Sequence, residues 1–90
     1  MKVLWSPVAI ADLASIRDYI ANDSDAIASA LIARLIAAAN SLEAFPRRGR
    51  LGRAPSTLEL VIAGTPYIIV YASEDGAVHI ASVDHAARRA

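Results

Sequence analysis

Residues 56–83 read STLELVIAGTPYIIVYASEDGAVHIASV, and the spacing of their apolar side chains decides the fold. In STLELVIA, Leu58, Leu60 and Ile62 alternate with Thr57, Glu59 and Val61. That is the period of a strand with one buried face. PYIIVYAS is apolar at both parities, as a central strand covered on both sides would be. AVHIASV alternates again, with Val78 and Ile80 suited to a core and His79 pointing away from it. The links are short: Gly64-Thr65 joins the first two runs, and Glu74-Asp75-Gly76 joins the next two. Glycine accepts the positive φ of a tight hairpin, so three runs linked this closely predict an antiparallel meander.

Towards the N-terminus, MKVLWS reads as a short first strand, with Trp5 anchoring it against the helices. Ser6 is suited to cap a helix and Pro7 to open it, because the N–H that proline lacks has no partner there anyway. Ala9, Leu13, Ile16 and Ile20 then share one helical face, with Asp12, Arg17 and Asp18 largely elsewhere. ANDSD closes this helix and offers Asp23 or Ser24 as the cap of a second, from about Asp25 to Glu43. The second helix carries a stripe of Ile27, Leu31, Leu35, Ala38 and Leu42, widened by Ile32, Ile36 and Ala39. One neighbouring helix would not cover a stripe that wide. The helix therefore lies against a sheet as well, or keeps part of its face for another protein, for which Ile27, Leu31 and Leu35 are the candidate contacts. Phe45 and Pro46 end it. Strand, helix, helix and three strands make a single α+β domain over residues 1–90, a helical hairpin on one antiparallel sheet (βααβββ).

Composition narrows the chemistry. The chain has 90 residues, 56% of them hydrophobic, and no cysteine. Disulfides, thiolate nucleophiles and the common zinc frameworks are thereby excluded, which fits a reducing cytosol. The N-terminus lacks the apolar run of a secretion signal, so a cytoplasmic location is expected. The run Ala26–Ala39 falls short of the roughly 20 residues that a membrane span needs, and Arg34 interrupts it. Zero formal net charge argues against a general nucleic-acid coat. The charge is uneven, however. FPRRGRLGR, residues 45–53, holds four of the nine basic residues, Arg47, Arg48, Arg50 and Arg53, and no acidic one. Such a segment suits a phosphate or an anionic partner. His79 and His85 stand apart, without metal-ligand spacing, and neither a metal nor a cofactor is expected.

If Leu58, Leu60 and Ile62 face the helices, Glu59 faces away, together with His79 and one or both of Tyr67 and Tyr71. His85, Arg88 and Arg89 follow the last strand. A carboxylate, an imidazole, a phenol and guanidinium groups are the parts that metal-free RNA cleavage requires. The same residues also read as a solubilising glutamate and histidine and as strand-forming tyrosines at the core edge.

Four stretches in order, WSPVAIADLASIRDYIA, LEAFPRRGRLGR, LELVIAGTPYIIVY and VDHAARR, resemble the RelE/ParE toxin superfamily of bacterial toxin–antitoxin modules, from Leu4 to Arg89. The resemblance implies a small antiparallel sheet with a helical hairpin. It also implies a growth-inhibiting toxin encoded beside an antitoxin that wraps and silences it. The arginines of the 45–53 loop, with Arg88 and Arg89, become target-facing groups. Two mechanisms occur in the superfamily: RelE-like members cut mRNA in the ribosomal A site, and ParE-like members inhibit DNA gyrase without hydrolysis. Related nucleases often carry arginine where this chain has Leu58, Ile68 and Ala72, and an alkyl group does not replace a guanidinium fork on phosphate. The expectation leans towards gyrase inhibition. The nuclease alternative would use Glu59 or His85 as acid or base, Tyr71 as an assisting group, and Arg50, Arg53 and Arg88 as phosphate holders. A further alternative is a non-toxic remnant that only binds antitoxin.

Overall fold

A computed structural model describes residues 1–88. Strand β1 (Lys2–Trp5) leads into helices α1 (Pro7–Ala21) and α2 (Asp25–Asn40), and α2 ends in a 3-10 turn (Ser41–Glu43). Strands β2 (Arg50–Leu51), β3 (Leu58–Val61), β4 (Tyr67–Glu74) and β5 (Ala77–His85) come next, then a 3-10 turn over Ala86–Arg88. The sheet order is β1-β5-β4-β3-β2. The β3-β4-β5 meander is antiparallel as expected. The sheet is nevertheless mixed, because β1 joins β5 in parallel. It also gains a fifth strand, since two residues of the arginine segment pair antiparallel with β3.

Local chemistry sets the element ends. Ser6 Oγ accepts the Ala9 N–H at 3.0 Å, capping α1, and donates to the Ala81 carbonyl at 2.8 Å, fastening that cap to β5. Ser24 Oγ caps α2 by accepting the Ile27 N–H. In the β4–β5 hairpin Asp75 and Gly76 both adopt positive φ, 53° and 73°, as the turn demands.

The core lies between helices and sheet. Ala9, Leu35, Ala39 and Leu42 meet Leu60, Ile62, Tyr67, Ile69, Tyr71, Val78, Ile80 and Val83, with Trp5 and Leu31 packed at the margin. In β5 the inward series runs Val78, Ile80, then Val83 rather than Ser82. The cause is a bulge: Val70 pairs with Ser82 but Tyr71 with Ile80, so Ala81 is an extra residue that reverses the parity. Asp12 Oδ2 accepts the Val83 N–H at 2.9 Å, so α1 grips β5 just beyond the bulge. Arg34, which interrupts the apolar run of α2, donates to the Ala63 carbonyl in the β3–β4 turn.

Candidate functional site

The arginine segment is a fold-back loop whose path is fixed from several points. The Phe45 carbonyl accepts the Arg48 N–H, and Arg48 Nη1 donates to Ser41 Oγ at 2.8 Å. The Tyr71 hydroxyl accepts the Gly49 N–H and donates to the Pro46 carbonyl, both at 2.8 Å. Further on, Gly52 N–H donates to the Thr57 carbonyl, closing the loop beside β2. Arg50 Nη2 lies 3.4 Å from Glu59 Oε1, and the Arg53 N–H donates to Glu59 Oε2 at 3.1 Å. Arg47, Arg48, Arg50 and Arg53 are all exposed. Between them Leu51 is 87% exposed, and Phe45 stands out at the loop's start.

Glu59 faces away from the helices, as its parity predicts, yet it is only 3% exposed because the loop folds over it. Both carboxylate oxygens accept hydrogen bonds. Tyr71 belongs to the opposite face: it is fully buried among the helix-facing residues, and its hydroxyl is occupied by the loop. The outward placement of one or both tyrosines is corrected by this, since Tyr67 also packs in the core. His79 is exposed, but it pairs with Ala72 on the hairpin side of the sheet, apart from Glu59, which pairs with Val70.

What the fold does bring together is Arg53, Glu59, Ser82, Asp84, His85 and Arg88, around an open hollow of ≈ 670 Å³. Opposite charges are mixed there, so the hollow is not a simple anion cradle. His85 Nδ1 accepts the Ala87 N–H at 3.1 Å, which leaves Nε2 to carry the proton of the neutral ring. The ring stands edge-on to Tyr67, with centroids 5.4 Å apart. Arg89, expected beside Arg88, lies outside the described residues. Among the described residues no group of three or more His, Asp or Glu side chains is placed to hold a metal ion.

A second surface lies on the helical side. Tyr19, Ile27, Leu31, Arg34 and Tyr67 line a hollow of ≈ 570 Å³ between the helices and the β3–β4 turn. It meets a groove along α1 and β5 at Tyr19, Tyr67 and His85. Ile27 is 63% exposed and Leu31 half-buried, but Leu35 is wholly inside the core, which removes it from the expected partner contacts. Tyr19, 66% exposed, carries no signal in the sequence because it falls among the polar residues of α1.

Residues 3–90 match the family model described as ParE toxin of type II toxin-antitoxin system, parDE. Toxin RelE2 of Caulobacter vibrioides is 46% identical over 87 residues, a span covering 97% of each chain. A solved structure of the chromosomal ParDE TA system from P. aeruginosa shares the fold with a TM-score of 0.86 at 22% identity, covering 94% of this chain and 95% of that one. The four stretches that carry the resemblance, the helical hairpin on its sheet and these matches lead to one conclusion: the chain belongs to the ParE family of type II toxin–antitoxin toxins, within the RelE/ParE superfamily.

Proposed function

We propose that this toxin arrests bacterial growth in the cytoplasm by binding a protein target, DNA gyrase, without hydrolysing a substrate. The observation that supports this reading best is the state of Glu59. A general base needs an accessible lone pair within reach of the proton it takes. Here the carboxylate is 3% exposed, and both its oxygens already accept hydrogen bonds from the arginine loop. Tyr71 is likewise occupied and buried. Alkyl side chains at Leu58, Ile68 and Ala72 add support, since phosphate would find no guanidinium there. The exposed surface of the loop combines cations with Leu51 and Phe45, a mixture suited to protein contact.

The test uses purified toxin in two assays. Inhibited supercoiling by gyrase with intact mRNA on translating ribosomes is the expected result. Codon-periodic mRNA cleavage with unaffected supercoiling overturns the proposal. The mRNA interferase reading draws on one observation, the meeting of His85 with Arg53 and Arg88 around one hollow. It requires that His85→Ala abolish cleavage. Expression without antitoxin separates both from a non-toxic remnant, which would leave growth unchanged.

The same proposal includes a cognate antitoxin, one of whose segments covers Ile27, Leu31 and Tyr19. In α2 the apolar side chain of Ile27 is exposed and that of Leu31 half-buried. In this fold α2 shares one layer of the sandwich with α1. Its uncovered apolar side chains border the ≈ 570 Å³ hollow, where a partner would remove them from water.

A further inference from the structure

Glu59 and Tyr71 lie on neighbouring strands but on opposite faces of the sheet, and both reach the same loop. Tyr71 meets it at Pro46 and Gly49. Glu59 meets it at Arg50 and Arg53. We propose that Tyr71 and Glu59 are positioning residues, a two-point latch that fixes the arginine loop so that Arg47, Arg50 and Arg53 are presented to the target in one geometry.

The features of each residue support the assignment. A phenylalanine would fill the buried site of Tyr71 equally well, so the work of the hydroxyl lies in the loop, where it both accepts and donates. A buried carboxylate is costly unless it is paired and hydrogen-bonded. The loop supplies Glu59 with a guanidinium from Arg50 and a backbone N–H from Arg53. Gly49 shows how closely the loop is drawn in, since an added Cβ would stand 2.7 Å from the Tyr71 hydroxyl and 2.8 Å from the Glu59 carbonyl. The two fastenings together span residues 46–53, with Arg47 inside the first and β2 inside the second. Ordering long side chains on binding is a recurrent cost, and a loop already held in place avoids part of it. The latch rests on hydrogen bonds within the chain; its consequence for potency rests on the proposed target-facing role of the arginines.

The experiment compares Tyr71→Phe and Glu59→Leu in the full chain with the wild type. Each variant removes a polar anchor while keeping side-chain bulk. Amide hydrogen exchange is read at Gly49 and Arg53, with Ile69 and Val78 as core references, and gyrase inhibition is titrated in parallel. Gly49 in the first variant and Arg53 in the second should exchange at least roughly tenfold faster, with the core amides unchanged. The concentration needed for inhibition should rise about tenfold or more as three cations regain freedom. Glu59→Gln, which keeps an acceptor for the Arg53 N–H, should restore part of that protection. Unchanged exchange at Gly49 and Arg53 overturns the latch, whatever the toxin inhibits. Lost inhibition with intact loop protection also overturns it, by making these side chains act directly on the target. Faster loop exchange with unchanged potency keeps the latch but removes the loop from the target surface. If Tyr71→Phe fails to fold, Glu59→Leu decides alone.

Discussion

Gly49→Ala should destabilise the toxin for a reason that backbone preference does not supply. Gly49 is not among the residues with positive φ, so its lack of a side chain answers to crowding alone. A Cβ there would meet the Tyr71 hydroxyl at 2.7 Å, the Glu59 carbonyl at 2.8 Å and Tyr71 Cε1 at 2.9 Å. The carbonyl belongs to β3 and cannot retreat without disturbing the β3–β4 ladder, while Tyr71 is enclosed by the core. The loop itself must move outwards, losing the 2.8 Å bond from the Gly49 N–H. Overpacking costs about 1–3 kcal/mol, and the lost hydrogen bond about 0.5–1.5 kcal/mol. A combined cost of about 2–4 kcal/mol lowers Tm by roughly 10–25 °C in a domain of this size. Thermal unfolding followed by circular dichroism measures this directly. Gly76→Ala is the control: nothing lies within 4 Å of its added Cβ, but φ is +73°. It should cost about 1 kcal/mol, through backbone strain only. A Gly49→Ala midpoint within about 3 °C of wild type would refute the crowding account.

Three further outcomes are expected. Leu35→Ala removes a fully buried side chain at the helix–sheet interface and should cost about 2–5 kcal/mol in urea unfolding. Ser6→Ala should cost about 1–2 kcal/mol, near the upper end for a cap, because the same hydroxyl also fastens α1 to the Ala81 carbonyl. Ile27→Asp, at a site 63% exposed, should leave stability within about 0.5 kcal/mol while weakening antitoxin binding in a calorimetric titration.

The meander is legible because alternation is a local signal, and both helix starts because Ser6 and Ser24 stand directly before apolar periodicity. The pairing of β1 with β5 has no comparable signal, since residues 75 positions apart leave no mark on one another's spacing. Strand β2 has only two residues, too few to alternate. Tyr67 and Tyr71 lie in a run apolar at both parities, so period alone cannot assign them a face. The direction of Glu59 is legible and its burial is not. Parity fixes which face a residue occupies, whereas burial depends on a loop returning over that face. Leu35 illustrates the same limit on a helix, where a wide apolar stripe does not reveal which edge the sheet covers. Among the candidate site residues, the sequence shows the arginine cluster as a cluster and offers Glu59 and Tyr71, but not that these two side chains bond to the loop.

The union of first strand with last bears on when the fold becomes complete. β5 lies between β1 and β4, grips α1 through the Val83 N–H, and accepts the Ser6 hydroxyl at Ala81. A nascent chain that has made everything up to β4 still has an unpaired first strand and a helix without its anchor. Such distant pairing delays folding until loop closure is complete. The sheet therefore closes only once residues 77–85 have left the ribosome, and until then β1 has no strand to pair with. A partner that recognises the assembled helical surface thus meets only a chain whose last strand is already in place.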